Sequence, residues 1–155
     1  MVELDKVDRL ILNTLQNNGR MTNVELAEVA GISAPPCLRR LKLMSQRGII
    51  QGYHAKINPN IMGYGLKVLC IITLNSQYIN KIAEFIETVT KLKNIRSCFS
   101  TPGSESFVLE ILARNLSDYE EILKAKIQKH EEIAEVKSYI LLNTHKELPG
   151  IPIDI

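Results

Sequence analysis

The chain has 155 residues, 45% of them hydrophobic and 23% charged, and carries a formal net charge of +2. These values are typical of a soluble globular protein with one medium or two small domains. The longest strongly apolar run, VLCIITL, has seven residues, too few for a membrane-spanning helix of about 18–20 residues. The N-terminus contains early acids and lacks the apolar core of a signal peptide, so we expect a cytoplasmic location and no membrane partner.

The net charge conceals a difference between two parts of the chain. Residues 1–57 contain eight basic and five acidic residues, a net charge of +3, whereas residues 58–155 contain eleven and twelve, a net charge of −1. The positive surplus is therefore local to the N-terminal third, which favours a DNA-contacting module attached to a neutral one.

Two helices are predicted at the start of the chain. Apolar residues recur at helical spacing from Leu4 to Gln16, with Asp5 as the N-cap. The motif TNVE matches a capping box between Thr22 and Glu25, and it opens a second helix that runs to residue 30. The side chains expected to face inward from this helix are Val24, Ala27 and Leu26.

A third helix follows a tight turn at Gly31, with Ser33 as its predicted N-cap and Gly48 at its end. Pro35 and Pro36 occupy early positions where a helix tolerates proline, because the N–H groups there are unpaired. Its inward stripe is predicted to be Leu38, Leu41 and Met44 or Ser45. Together the helices predict a helix-turn-helix motif at about 23–43, within a DNA-binding domain of residues 1–57.

An extended stretch connects this domain to the second half of the chain. The segment IIQGYHAKINP forms two short extended arms around Gly52, which predicts a β-wing or the first pairing strands after the helices. The residues NPNIMGYG are rich in Asn, Pro and Gly, so we place a hinge linker at 58–65.

The second half alternates between strand and helix patterns. Strands are predicted at 66–74, 95–101, 106–113 and 134–143, and helices at about 78–93 and 117–130. A capping box between Ser117 and Glu120 opens the second of these helices. The order βαββαβ is ferredoxin-like, a four-stranded antiparallel sheet with both helices on one face. The predicted fold class is therefore α+β, a winged helix-turn-helix domain followed by a ferredoxin-like domain over 66–155.

A sheet with both helices on one face leaves its other face to be covered. At this size the usual cover is a copy of the same sheet, so we predict a homodimer. The C-terminal sequence LPGIPIDI is apolar but broken by proline, and it either docks on a neighbour or remains free.

The basic residues of the third helix are the main functional signal. Between Ser33 and Lys56 there are five Lys or Arg and no Asp or Glu, which suits a groove-reading helix against a phosphate backbone. We expect Arg39, Arg40 and Lys42 to face the duplex, since Arg matches the guanine edge and Lys anchors a phosphate. The other predicted DNA-contacting residues are Thr22, Asn23, Ser33, Ala34, Pro35, Arg47 and Lys56. The alternative is a solvated basic face on a small helical bundle.

The cysteine and histidine pattern predicts no metal site. Cys37, Cys70 and Cys98 lie far apart within apolar patterns, which indicates buried hydrophobic side chains in a reducing compartment rather than a disulfide. The three histidines share no short spacing with them. No nucleophile elbow, phosphate loop or metal-binding His pair occurs. We therefore predict no catalytic residue, no metal, no cofactor and no enzymatic activity.

The order of modules resembles that of the Lrp/AsnC (feast/famine) transcriptional regulators, closest to their leucine-responsive branch. The resemblance covers essentially the whole chain and is carried by LDKVDRLILNTLQNNGRMTNVELAEVAGIS, PPCLRRLK, RGIIQGYHAKINP and SCFSTPGSESFVLEI. It implies a homodimer or a larger closed assembly such as an octamer, binding to double-stranded promoter DNA, and a C-terminal RAM domain that serves effector binding and oligomerisation. It also implies control by a small molecule, commonly an amino acid such as Leu or Met.

The resemblance places an effector pocket at the loop after the second strand of the C-terminal domain. The residues it implies are Thr101, Gly103, Ser104, Glu105 and Ser106. Family members usually carry an acid at the position of Ser106 and often at Ser104, where a carboxylate holds an effector's ammonium group. Both are hydroxyls here, so an amino-acid-modulated regulator and an effector-independent architectural regulator stay open. A third alternative is a ferredoxin-like sensor or enzyme whose N-terminal bundle binds protein.

Overall fold

The computed structural model describes residues 3–102, 106–148 and 150–155, except for the side chains of Ser76 and Ile79. The chain divides into two compact units, Met1–Lys56 together with Lys146–Ile155, and Ile57–His145. In the described ranges, no helix has the length and apolar character that crossing a membrane requires.

Three helices form the N-terminal unit, as the sequence predicts. They are α1 (Lys6–Asn17), α2 (Asn23–Ala30) and α3 (Ala34–Gln46). The Asp5 side chain accepts the Asp8 N–H at the start of α1, so the predicted N-cap is confirmed. The capping box of α2 is also confirmed, because the Thr22 hydroxyl accepts the Glu25 N–H and the Glu25 carboxylate accepts the Thr22 N–H.

A left-handed glycine makes the turn between α2 and α3. Gly31 has a φ of +66°, and its N–H and that of Ile32 donate to carbonyls near the end of α2. A residue with a side chain would be strained in this conformation. The three helices then enclose one core, formed by Ile11, Leu15, Leu26, Ala27, Ala30, Cys37 and Met44.

Two side chains of these helices are oriented differently from the prediction. Val24 is 58% exposed, and Leu38 is 44% exposed while Cys37 is fully buried beside it. Neighbouring positions on a helix differ by about 100° around its axis, so an apolar pattern leaves the rotation of a short helix open by one position. Packing among α1, α2 and α3 decides that rotation.

The arms predicted around Gly52 are extended chain without a strand ladder, since residues 47–65 contain no β-strand. Ile49 and Ile50 pack against the helical core, and both of their N–H groups donate to the Met44 carbonyl. These contacts use backbone groups that a paired wing would require.

The second unit is a four-stranded antiparallel sheet. Its strands are β1 (Leu66–Leu74), β2 (Ile95–Thr101), β3 (Ser106–Ala113) and β4 (Ile133–Ile140), in the order β2-β3-β1-β4. Its helical segments are a 3₁₀ segment (Ser76–Lys81), α4 (Ile82–Thr90), α5 (Leu116–Ile122) and a π segment (Leu123–Ile127). The predicted ferredoxin-like arrangement and α+β class are confirmed.

The helices of this unit differ from the prediction in their limits. The helix predicted over 78–93 is the 3₁₀ segment followed by α4. The capping box predicted for Ser117 and Glu120 is not used, because α5 begins two residues earlier with Asn115 as its N-cap. The Asn115 side-chain oxygen accepts the Asp118 N–H at 2.9 Å, so Asn115 caps this helix in place of Ser117.

The two faces of the sheet have different surroundings. Alternate residues face the helices and are buried: Val68, Cys70, Ile72 and Leu74 in β1, and Phe107, Leu109, Ile111 and Ala113 in β3. On the other face the register places Phe99 beside Val108, and Val108 beside Ile71. Leu69 lies beside Tyr139 on the same face. Phe99 and Tyr139 are 59% and 52% exposed, so this face, hereafter the open face, is apolar and uncovered in the single chain.

The last ten residues belong to the N-terminal unit, whereas the sequence-based boundaries placed them in the domain 66–155. Gln16 of α1 binds Ile151 through two hydrogen bonds, and Lys56 lies 2.8 Å from Glu147. These partners are 135 and 91 positions apart in the chain, so no local pattern indicates the contacts.

An ion pair between α1 and α3 orients the third helix. Arg40 Nη1 lies 2.7 Å from Asp5 Oδ2 and 2.7 Å from Asp8 Oδ1, so one guanidinium contacts both carboxylates at the start of α1. The Asp8 N–H and the Arg40 guanidinium hold the pKa of Asp5 below its usual value. The carboxylates of Asp8 and Asp5 raise the pKa of Arg40 in turn. This contact restrains the rotation of α3 about its own axis.

Two adjacent arginines provide a matched pair of substitutions. Arg40→Ala should lower the melting temperature by roughly 2–5 °C, because it removes both contacts to α1 and leaves two neighbouring carboxylates without their cation. Arg39→Ala should leave the melting temperature unchanged, since the exposed Arg39 has no acidic partner in the described ranges. Thermal unfolding followed by circular dichroism measures both, and equal melting temperatures would contradict the role of the ion pair.

The stability difference between wild type and Arg40→Ala should also depend on pH. The pKa of Asp5 is lowered from 3.8 in the folded protein, so its carboxylate stabilises the fold above about pH 4 and loses this effect as pH falls through the lowered value. The pKa of Arg40 is raised, so no change arises on the alkaline side below about pH 10. The difference should be constant between about pH 5 and 8 and shrink below about pH 4.

Candidate nucleic-acid interface

One face of α3 points away from the helical core and carries only positive charge. Cys37 and Met44 face the core, and the helical period then places Arg39 and Lys42 on the opposite side. Arg47, the C-cap residue, lines the same groove as these two side chains. Arg39, Lys42 and Arg47 are hereafter the basic ridge. All three are exposed, and none has an acidic partner within 4.0 Å in the described part of the chain.

A groove of mixed polarity runs along the basic ridge. It encloses about 680 Å³, and its lining includes Pro35, Leu38, Leu43, Gln46 and the three ridge residues. Leu38 and Leu43 are 44% and 43% exposed, so apolar side chains lie between cationic ones. Cations attract backbone phosphates and apolar side chains contact thymine methyl groups, so this surface suits a major groove.

The N-terminal end of α3 is also accessible. Ser33 is the N-cap by position, but its hydroxyl makes no capping hydrogen bond. Pro35 is exposed and Ala34 is half-buried. The positive end of the helix dipole therefore lies beside a free hydroxyl, at the end of the helix that contacts bases in helix-turn-helix proteins.

Two of the predicted DNA-contacting residues at the start of α2 bond within the protein. The Thr22 hydroxyl lies 2.8 Å from Glu25 Oε2, and the Asn23 amide donates to the Ala34 carbonyl at 2.9 Å. The Asn23 side-chain oxygen is buried and has no partner in the described part of the chain. Asn23 thus connects the starts of α2 and α3, and its side chain is directed inward.

Two predicted cations are also engaged within the protein. Arg40 is held by the carboxylates at the start of α1, and its side chain is 29% exposed. Lys56 pairs with Glu147 at 2.8 Å, but its side chain is 72% exposed and remains at the surface. Arg40 thus lines the same groove as Arg39, Lys42 and Arg47, but its guanidinium is paired with the carboxylates of Asp5 and Asp8.

The predicted effector residues lie at the connection between β2 and β3. Gly103, Ser104 and Glu105 fall outside the described residues. Thr101 and Ser106 are the last pair of the β2–β3 ladder, and the Thr101 hydroxyl donates to the Ser106 carbonyl at 3.1 Å. The Ser106 hydroxyl lies 3.3 Å from Thr73 Oγ1. The hydroxyl groups of Thr101, Ser106 and Thr73 therefore lie at this end of the sheet.

A charged cluster at the same end of the sheet has no counterpart in the sequence predictions. Glu132 is 7% exposed, and its carboxylate lies 3.6 Å from Lys81 Nζ and 3.7 Å from His130 Nδ1. The Glu132 carbonyl accepts the Asn75 N–H at 2.7 Å, just beyond the pair formed by Thr73 and its partner on β3. These side chains meet only in the folded chain, so no spacing rule indicates them.

The cysteines are free, and the described residues hold no group of three or more side chains that could bind a metal. Cys37 and Cys70 are buried and Cys98 is half-buried. Burial raises the pKa of all three thiols, and a protonated thiol is a poor nucleophile. Their surroundings are those of hydrophobic side chains.

Two family models match the chain. One, described as winged helix-turn-helix DNA-binding, matches residues 4–51, and the other, described as the Lrp/AsnC ligand binding domain, matches residues 67–151. Among curated relatives, the leucine-responsive regulatory protein of Rhizobium meliloti (strain 1021) is 35% identical over 146 residues, which are 94% of each chain.

Two solved structures share the fold over nearly the whole chain. A transcriptional regulator from Neisseria meningitidis, solved with L-Met, superposes with a TM-score of 0.91 at 30% identity and 97% coverage of both chains. A feast or famine regulatory protein from M. tuberculosis, complexed with L-methionine, superposes with a TM-score of 0.82 at 31% identity, covering 94% of this chain and 96% of that one. The helix-turn-helix unit, the ferredoxin-like unit and these matches together establish that the chain belongs to the Lrp/AsnC family of DNA-binding transcriptional regulators.

Proposed function

We propose that this regulator recognises specific DNA sequences by placing residues 33–47 in the major groove. The observation that carries the proposal is the basic ridge, three exposed cations that line one groove along α3, in a stretch without acids. The ridge would attract phosphates of any sequence, while side chains that reach base edges supply the specificity.

Contacts within the protein support a narrower set of DNA-contacting residues than the sequence indicated. Arg39 is free to form a bidentate contact with guanine, and Lys42 and Arg47 are free to contact phosphates. Arg40 and Asn23 instead hold α3 in position through α1 and α2. The proposed DNA-contacting set is Ser33, Ala34, Pro35, Arg39, Lys42 and Arg47, with Thr22 and Lys56 at its margins.

Arg39→Ala tests the proposal. It should weaken binding to the preferred duplex by about 1–3 kcal/mol and relax specificity at one base position, because a base-edge contact is lost. Fluorescence anisotropy with a duplex selected from a random pool measures both quantities. Lys129→Ala, at an exposed lysine of the second unit, is the control and should bind as the wild type does. If Arg39→Ala keeps the affinity and the base preference of the wild type, Arg39 does not contact a base edge.

We also propose a homodimer formed through the open face of the sheet. Phe99, Val108, Ile71 and Leu69 form an apolar surface across β2, β3 and β1, and the ion pair between Lys67 and Glu110, at 3.0 Å, lies on the same face. A second copy would cover this surface with the same residues, as a two-fold interface requires. The two DNA-binding units would then contact half-sites about one helical turn apart, or a multiple of it. Rings of dimers such as an octamer are the larger assembly that the family implies.

Phe99→Glu tests the proposed interface. A charge at this position of the apolar face should shift the protein from dimer to monomer at micromolar concentration, because an unpaired carboxylate would have to be buried. Leu116→Glu changes another exposed apolar side chain, at the start of α5, and should leave the dimer intact. Sedimentation velocity distinguishes the two. A dimer that survives Phe99→Glu at every accessible concentration would exclude this face.

We propose that a small amino acid such as Leu or Met binds between dimers near Thr101 and Ser106, and that it favours one assembly over another. The second unit matches a ligand-binding domain, and the related proteins of Neisseria meningitidis and M. tuberculosis were solved with L-methionine. The hydroxyls of Ser104 and Ser106, at positions where relatives usually carry acids, favour the alternative of an effector-independent architectural regulator.

Calorimetric titration with Leu and Met separates these two functions. Ser106→Asp should bind Leu or Met at least about tenfold more tightly than the wild type, because a carboxylate adds a charge-assisted hydrogen bond to the ammonium group. Ser117→Asp, at an exposed serine of α5, should bind as the wild type does. The absence of heat with either amino acid, in wild type and in Ser106→Asp alike, would favour the architectural function.

We propose that the protein has no enzymatic activity and no cofactor, since the relatives named above are transcriptional regulators. We also propose a cytoplasmic location. A rival of another class is a ferredoxin-like sensor or enzyme whose N-terminal helices bind protein. For such a protein, binding to genomic fragments would show no sequence preference and no steep salt dependence. Gel-shift assays at several salt concentrations therefore discriminate between this rival and the DNA-binding regulator.

A further inference from the structure

The end of the chain binds to a definite place on the N-terminal unit. Gln16 Nε2 donates to the Ile151 carbonyl at 2.9 Å, and Gln16 Oε1 accepts the Ile151 N–H at 3.0 Å. One side-chain amide thus pairs with both backbone polar groups of a single residue, as a neighbouring strand does. Arg9 Nη1 adds a hydrogen bond to the Asp154 carbonyl at 3.2 Å.

A glycine makes this close approach feasible. Gly150 has a φ of +73°, and a Cβ at this position would lie only 2.1 Å from Gln16 Oε1. Any larger residue would therefore displace the amide that holds Ile151 and would also strain the backbone.

Apolar side chains surround these hydrogen bonds. A cleft of about 650 Å³ is lined by residues of α1, of the segment 49–54 and of the chain end, among them Leu12, Leu15, Ile50, Ile151 and Ile153. Ile153 is half-buried, while Ile151 is 70% exposed. The segment is thus held by a few directed hydrogen bonds and a small apolar contact.

The chain passes between its two units twice, after Lys56 and after His145. Lys56 Nζ and Glu147 Oε2, which lie beside these two crossings, are 2.8 Å apart. The ion pair therefore joins the departing and the returning chain at the edge of the N-terminal unit.

We propose that α1 and residues 49–54 form a dock for the C-terminal segment 150–154, and that the docked segment restricts the motion of the DNA-binding unit. The dock does not use the basic ridge, so the segment leaves the DNA-contacting face accessible. A unit held by two connections samples fewer positions than a unit on one linker. In a dimer, this raises the effective concentration of the second DNA-binding unit at its half-site. The consequence for DNA rests on the proposed function, whereas the dock itself does not.

Hydrogen exchange tests the dock in the full-length protein without DNA. The Ile151 N–H should exchange slowly in the wild type and at the rate of free chain in Gln16→Ala and Gly150→Ala. Gln128→Ala changes an exposed glutamine of the second unit and should leave the rate unchanged. An Ile151 amide that already exchanges freely in the wild type would overturn the dock.

Duplexes with one or two half-sites test its consequence. Gln16→Ala and Gly150→Ala should each weaken binding to a two-site duplex by about tenfold and leave binding to a one-site duplex unchanged, because only the two-site complex depends on the position of the second unit. Both variants should also discriminate less against a duplex whose half-site spacing is altered by half a turn, about five base pairs.

The outcomes separate the dock from the proposed DNA binding. Equal losses on both duplexes, or no loss on either, would overturn the proposed restriction of motion. A wild type that binds neither duplex would refute the proposed function, while the exchange of Ile151 would still decide the dock. Truncation after His145 removes the segment without altering α1. The affinity of the truncated protein for the two-site duplex should fall as in the point variants. A truncated protein with wild-type affinity would also overturn the proposed restriction of motion.

Discussion

The contact of one guanidinium with two carboxylates determines which side chains of α3 face outward. Arg40 meets Asp5 and Asp8 at 2.7 Å each, and both acids also belong to the capping box that begins α1. The start of the first helix and the rotation of the third are therefore coupled. With Arg40 turned toward α1, Arg39 and Lys42 lie outward. A groove-reading helix needs such a restraint, because a rotation by one position turns every side chain by about 100° around the helix axis.

The ferredoxin-like unit separates two tasks by the alternation of its strands. Residues such as Leu109 and Ile111 bury against the helices and stabilise the unit on its own. The intervening positions, Phe99 and Val108 among them, form the open face, and an apolar face of this extent favours a second copy. The hydroxyls of Thr101 and Ser106 and the buried Glu132 lie at one end of the same sheet. Assembly and effector sensing would thus share one rigid element.

The C-terminal segment adds a link that neither family model describes as a module of its own. A regulator with two DNA-binding units gains affinity only when both can reach their half-sites, so the freedom of each unit is a physical quantity on which selection can act. The site for this short segment needs few atoms. The Gln16 amide binds Ile151, and the absence of a side chain at Gly150 leaves room for the Gln16 amide. The C-terminal segment is only partly buried, which suits a contact that adjusts the mobility of the DNA-binding unit and contributes little to the stability of its core.

Local patterns were enough to predict the order of elements, the N-cap at Asp5, the capping box at Thr22, and the limits of β1, β2 and β3. Those features depend on hydrogen bonds and side-chain alternation among residues a few positions apart, so the sequence alone contains them. Arg39 and Arg40 are chemically identical neighbours, and only packing against α1 separated the exposed arginine from the paired one. Likewise Gln16 and Ile151 meet across 135 positions. Contacts between distant residues depend on where whole helices lie, and that placement follows from the packing of the complete core.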